Sequence, residues 1–238
     1  MTRVRRGTVR ELLQAGEDEA AALGAPGRPF MSYSQLRRQI EGHRDVLRRC
    51  GIGPQDRVAI VLPNGPEMAA AFLTVVSGAT AAPLNPAYTE TEFDFYLDDL
   101  GARAVLLRHG DTGPAAACAR RRGLAIIDVV PAEGGPAGAF ELHPRGEPAG
   151  PTADDREPEP DDVALLLHTS GTTSRPKLVP LSQANLCASA HNISTTLRLT
   201  SNDVALNVMP LFHIHGLMAS LAASLAVGGC VVCTPGFD

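Results

Sequence analysis

The sequence predicts an α/β fold of layered sheets with covering helices, and three observations carry that prediction. Short apolar runs alternate with segments of helical periodicity, the connections between them are short and marked by Gly, Pro or Asn, and the 238 residues are 44% apolar and 20% charged, an ordinary balance for a chain long enough to bury a sizeable core.

Each element has a local reason. Thr8-Val-Arg-Glu11 is a capping box that opens a short helix. Over 34–50, Leu36, Ile40, Leu47 and Cys50 recur at helical spacing and Gly51 is placed to end the helix. The opposite face holds Arg37, Arg38, Arg44 and Arg48 and reads as solvated. The apolar run 57–62 reads as a strand closed by Pro63-Asn-Gly-Pro66, and Pro66 is well placed to start a helix over 67–76. A strand follows over 79–84. Thr89-Glu-Thr-Glu92 is a second capping box, for a helix with Phe93, Tyr96, Leu97 and Leu100 on one face and Gly101 at its end. A strand over 102–107, a helix over 114–122 and a strand over 124–130 complete a first α/β subdomain, residues 1–130.

From 131 to 162 the texture changes to Pro, Gly and acid, with a strand signal only at Phe140-Glu-Leu142. This stretch reads as a linker, and its acids (Asp154, Asp155, Glu157, Glu159, Asp161 and Asp162) as a flexible solvated link rather than a metal site. Regular structure restarts at Val163, so 163–238 reads as the start of a second α/β subdomain. It contains a strand over 163–168, a helix capped by Ser182 with Leu186, Ala190, Ile193 and Leu197 on one face, and a strand over 204–209.

Composition narrows the function. A net charge of −5 and the absence of Trp disfavour a nucleic-acid partner. No apolar stretch reaches the roughly 18 to 20 residues of a membrane span, and no signal-peptide core follows the amino terminus, so a cytoplasmic location is expected. Arg3, Arg5, Arg6 and Arg10 precede the first acid, as in a transit peptide, yet the capping box at Thr8 makes part of that stretch an ordinary helix. Five scattered cysteines imply no disulfide framework and suit a reducing compartment. Cys230-Val-Val-Cys233 lies in a β-like run without a second pair, so it reads as two structural cysteines rather than a zinc or redox motif.

The chemistry concentrates in Leu165-Leu-Leu-His168-Thr-Ser-Gly-Thr-Thr-Ser-Arg-Pro-Lys177. An apolar strand runs into a cluster of phosphate donors. Thr169, Ser170, Thr172 and Thr173 supply hydroxyls, Gly171 lets the backbone approach an anion, and Lys177 supplies a mobile point charge. A Walker A loop needs Gly directly before the lysine and Ser or Thr directly after it. Pro176 and Leu178 occupy those positions. A second segment, Pro210-Leu-Phe-His213-Ile-His215-Gly216, sets two histidines just past a strand end, where open α/β sheets bind ligands. No third local ligand completes a metal site there.

The segment 169–177 resembles the signature loop of the acyl-CoA synthetase and adenylate-forming (AMP-binding) superfamily, Thr-Ser-Gly-Thr-Thr-Gly-x-Pro-Lys-Gly. Ser174 and Leu178 replace two of its glycines and remove backbone freedom, and the Ser-Arg-Pro-Lys version is similar to the oxalate–CoA ligase branch. The segment 210–216 is similar to the family's Pro-Leu-Phe-His-x-x-Gly, and Ser32-Tyr-Ser-Gln-Leu36, Gly53-Pro-Gln-Asp-Arg57 and Gly78-Ala-Thr-Ala-Ala-Pro-Leu-Asn85-Pro86 fall in the family's order. The likeness covers nearly the whole chain. The family continues further, with adenine- and ribose-binding segments, an acid for the metal and a catalytic lysine, so the chain is expected to be a partial N-terminal domain.

The resemblance implies an AMP-forming carboxylate–CoA ligase that uses ATP, Mg2+ and coenzyme A on a small carboxylic acid. Lys177 is the catalytic candidate, Thr169, Ser170, Gly171, Thr172 and Thr173 join it in holding ATP, and His213 and His215 line the acid and thiol side. Without its missing C-terminal portion the chain is expected to be inactive. A peptide-synthetase adenylation domain shares the first step, a kinase or ATPase would release ADP, and a nucleotide-binding module would carry out no chemistry.

Overall fold

A computed structural model describes residues 7–146, 151–169 and 176–236. Two sheets organise them. The larger has seven strands, β3 (Arg57–Val61), β4 (Thr80–Pro83), β5 (Ala104–Arg108), β6 (Ala125–Pro131), β7 (Phe140–Pro144), β8 (Val163–Thr169) and β9 (Lys177–Ser182). Their order is β7-β6-β5-β3-β4-β8-β9. The five inner strands are parallel, and β7 and β9 close the edges antiparallel. The smaller sheet contains β1 (Ala21–Gly24), β2 (Met31–Ser32), β10 (Val204–Asn207) and β11 (Cys230–Cys233), in the order β10-β11-β1-β2.

The predicted helices form where the caps lie. α1 (Val9–Leu12) starts at the Thr8/Glu11 capping box, and α2 (Tyr33–Arg49) at a further one, Ser32/Gln35. α3 (Pro66–Val76) has its proline in the first turn. α4 (Glu90–Leu100) runs from the Thr89/Glu92 box to Gly101, whose φ of 55° is the left-handed conformation that glycine tolerates best. α5 (Pro114–Arg121) and α6 (Gln183–Leu197) follow, and a π-helical segment, Gly216–Ala222, passes into α7 (Ala223–Leu225).

Sheet membership cuts across the expected boundary at residue 162. β8 and β9 complete the larger sheet, β8 lying beside β4 with Leu165 opposite Ala81, while from the amino-terminal region β1 pairs with β11 and β2 pairs with β1. The inner strands are buried on both faces, as a parallel sheet requires. α3 lies between the sheets, in contact with β3, β4 and β11.

The segment 131–162 departs from the flexible solvated link expected of it. Residues 151–162 hold no helix or strand, yet they are strapped onto α2. Ala153 N–H donates to the Arg48 carbonyl at 2.9 Å, Arg48 reaches Asp155 at 3.3 Å, and Arg44 donates to Glu157 at 3.0 Å. The basic face of α2 is accordingly not simply solvated. Arg44 is buried, its stem covered while its head pairs with Glu157 and Glu41. Opposite charges distant in sequence were each read as facing water because their partners become visible only after folding.

Cys230 and Cys233 are buried and free, and burial pushes the Cys233 thiol up to about 12. Neither is poised as a thiolate. On β10, an edge strand, Val204 and Leu206 are 62% and 63% exposed, and Leu197, expected on the apolar face of α6, is 59% exposed. Among the described residues no helix is long and apolar enough to cross a membrane.

His43 of α2 makes the packing sensitive to acid. Its ring stacks on Phe140 at 4.5 Å, its Nδ1 is buried without a partner among the described residues, and burial lowers its pKa from 6.5 to about 4. The unfolded chain therefore takes up the proton first, and stability present above pH 6.5 is lost as pH falls toward 4. His43→Phe keeps a ring on Phe140 and removes the proton site. Denaturant melts at pH 7 and pH 4.5 should show the variant losing less stability than the parent, by about 2 kcal/mol; equal losses would place the acid sensitivity elsewhere.

Candidate functional site

The strands on either side of the candidate phosphate loop, β8 and β9, pair antiparallel on the larger sheet. β8 carries the chain out of the core: Ala164, Leu165 and Leu166 are buried, and exposure rises toward Thr169. β9 returns antiparallel, with Thr169 opposite Lys177 and His168 opposite Leu178. The Thr169 hydroxyl donates to the Lys177 carbonyl at 3.4 Å and ties the neck of the loop. Thr169 and Lys177, both candidate residues, thus stand opposite each other, while Ser170, Gly171, Thr172 and Thr173 lie outside the described residues, as does Ser174. Leu178, one of the two departures from the signature, sits in β9 and packs against the apolar cluster around Ala59, Val61 and Leu166. An extended strand residue has no need of glycine there.

Lys177 is exposed, and its ammonium has no carboxylate partner among the described residues. It is also the only lysine in the sequence, beside twenty arginines. Arginine serves the structural ion pairs, among them Arg44 to Glu157, Arg145 to Asp128 and Arg122 to Asp94 and Asp98. A rigid guanidinium fork suits such fixed partners, whereas a compact ammonium on a flexible stem can follow a phosphate as its charge moves.

His168 braces the hairpin from beneath. Its Nε2 lies 2.9 Å from Asp99 Oδ2 on α4, and its ring meets Tyr96 edge-on at 4.7 Å. Tyr96 in turn stacks on Tyr88 at 4.7 Å. The sequence reading assigned His168 no role, although it stands directly before the donor cluster. Nothing in local spacing links it to Asp99, 69 residues away.

The second segment stands at the carboxyl end of β10. Leu211 is buried, Phe212 is half-buried, and His213, Ile214 and His215 are exposed. His213 N–H donates to the Pro210 carbonyl at 3.1 Å, and Leu217 N–H donates to the His213 carbonyl at 3.2 Å, so the turn leads directly into the π-helical segment. The rings of Phe212 and His213 lie 4.6 Å apart. Neither imidazole has a hydrogen-bond partner among the described residues. Gly216 is required here by contact: a Cβ would stand 2.6 Å from the Pro210 carbonyl oxygen.

These features give an α/β protein with one candidate half-site at the carboxyl end of each sheet. The family model for AMP-binding enzymes matches residues 13–238, and the chain belongs to that family. It is 39% identical over 212 residues to an oxalate–CoA ligase of Arabidopsis thaliana, covering 88% of this chain and 41% of that protein. It is 36% identical over 204 residues to the oxalate–CoA ligase of Saccharomyces cerevisiae, covering 77% and 38%. The crystal structure of ATP-bound MatB from Rhodopseudomonas palustris superposes with a TM-score of 0.78 at 26% identity, over 98% of this chain and 46% of that one. The chain spans between 38% and 46% of the length of these relatives.

Adding a methyl group at Gly216 should displace the His213 turn. Gly216→Ala is expected to lower stability in denaturant melts by about 1–3 kcal/mol, because the obstructing atom is backbone and cannot swing aside. A melt unchanged from the parent would show that the turn yields freely.

Proposed function

We propose that this chain carries the phosphate-handling and acyl-side elements of an AMP-forming carboxylate–CoA ligase. The observation that carries the reading is the placement of the single lysine, exposed and without a carboxylate partner among the described residues, where β9 pairs with the end of β8 beside the Ser/Thr/Gly segment. Family membership and an ATP-bound structural relative support it.

In the first step a carboxylate oxygen of the acid attacks the α-phosphorus of ATP, and the bond to the bridging oxygen of pyrophosphate breaks. Negative charge builds on the departing pyrophosphate. The Lys177 ammonium meets that charge, with the hydroxyls and amides of 169–173 as further donors. The exposed His213 turn takes the acid and later admits the thiol of coenzyme A, which attacks the acyl carbon and displaces AMP. Magnesium fits the phosphates rather than a protein cage: no three His, Cys, Asp or Glu side chains converge among the described residues, so no step is assigned to the ion through this chain. Oxalate or another small polar acid is the preferred substrate, on the Ser174-Arg175-Pro176 sequence and the two oxalate-ligase relatives.

Turnover is assigned to the complete fold. The chain matches 41% of its Arabidopsis relative, and alone it forms no acyl-adenylate at an enzymatic rate. The alternative reading is a nucleotide-binding module without catalysis. The two separate when the chain replaces the matching residues of the Arabidopsis enzyme. Oxalate-dependent exchange of labelled pyrophosphate into ATP, with AMP as product, supports the ligase; nucleotide binding without exchange supports the module, and ADP contradicts both.

In that fusion Lys177→Ala should slow exchange by about a hundred- to a thousandfold while acid binding changes little; an unchanged rate would make the hairpin purely structural. His213→Ala should reorder the preferred acids or slow thioester formation and spare ATP affinity. If ATP affinity collapses and the order of acids holds, His213 belongs to the nucleotide side.

A further inference from the structure

Asn64 lies in the short turn between β3 and α3, and its side-chain amide uses both of its ends. Oδ1 accepts from Leu211 N–H at 2.9 Å, and Nδ2 donates to the Thr234 carbonyl at 2.9 Å. Thr234 in turn donates its N–H and its hydroxyl to the Asn207 carbonyl, each at 3.2 Å. One amide thereby joins the carboxyl end of β3, on the larger sheet, to the carboxyl ends of β10 and β11, on the smaller one. Its orientation is fixed by the partners, since a flipped amide would set N–H against N–H and oxygen against oxygen.

We propose that Asn64 is the positioning residue that sets the His213 turn at its distance from the phosphate hairpin. The proposal rests on the reading of that turn as the acid and thiol side. The turn is pinned at two places, by the bond from Asn64 to Leu211 and by the close backbone approach at Gly216. Between them the His213 imidazole has no hydrogen-bond partner among the described residues, so the main chain decides where it stands. The hairpin leaves β8, two strands from β3 in the same sheet, or about 10 Å across at ordinary strand spacing. The hydrogen bonds of Asn64 link the carboxyl end of β3, in the sheet that carries β8 and its hairpin, to the segments that follow β10 and β11, where the His213 turn is built.

The test uses the 238-residue chain, isotopically labelled, with Asn64→Ala, Asn64→Asp and Asn64→Gln. In Asn64→Ala the Leu211 amide should exchange with solvent roughly three- to tenfold faster. The His213 ring resonances, displaced by the neighbouring Phe212 ring, should move toward those of exposed His143, while amides of β5 keep their protection. Asn64→Asp should separate the two bonds: Leu211 keeps its acceptor and its protection, and the resonances of Thr234 shift because oxygen now faces its carbonyl. Asn64→Gln restores both bonding groups one carbon further out and should recover part of the Leu211 protection. Unchanged Leu211 exchange and His213 resonances in Asn64→Ala would overturn the proposal. So would equal acceleration of every amide, β5 included, which would make Asn64 a contributor to general stability only. No readout involves a substrate, so failure of the ligase reading leaves these outcomes unmoved and the two failures are distinguishable.

Discussion

Helix α3 has almost no surface that faces water, and the architecture follows from that. Ten of its residues are buried, with only Glu67 partly exposed. A helix apolar on every side must be covered on every side, and α3 meets that need by lying between the two sheets and beside α2. Three consecutive alanines, Ala69 to Ala71, keep part of it slim enough for close approach. Its ends are fixed by polar bonds: Arg28 pairs with Glu67 at 2.5 Å near the start, and Gln183 donates to the Val76 carbonyl at 2.6 Å at the end. The other end of the Gln183 amide accepts from Val9 N–H at 2.9 Å, so one buried side chain joins α1, α3 and α6.

Because one helix serves both sheets, their carboxyl ends come into hydrogen-bonding reach at Asn64, directly before α3. That is where the chemistry is proposed. The larger sheet supplies the parallel base for β8 and β9, the strands flanking the proposed phosphate loop, with His168 paired to Asp99. The smaller supplies the histidine turn. Charge is divided in the same sense: arginines hold the strap, the edge of β6 and the α4–α5 face in fixed pairs, and the one lysine is left open.

Much of this was legible in the sequence, and the reasons for the gaps are physical. Capping boxes at Thr8 and Thr89, Pro66 and Gly101 gave four helix ends correctly, because a cap is written in consecutive residues. The apolar strand that becomes β8 was legible as a short run restarting at Val163. β9 was not, since Pro180 argues against a strand, and it is tolerated here because β9 is an edge. β1 and β2, of four and two residues, are too short to show a period. The strap on α2, the brace at His168 and the amide of Asn64 all depend on partners far along the chain, as does the sheet crossing that sends β8 to the side of β4. Leu197 and Leu206 have the apolar character of core residues without the burial. The single lysine was readable by counting alone.

The central claim, that Lys177 marks a phosphate site, is open to one direct measurement, because the chain has no other lysine to confuse it. Reductive methylation with labelled formaldehyde keeps the charge and gives one lysine resonance, apart from that of the terminal amine. Titration with pyrophosphate should shift that resonance saturably, and equimolar chloride salt should not reproduce the shift. A lysine signal that stays in place up to high pyrophosphate concentration, or that moves equally with chloride, would contradict the assignment.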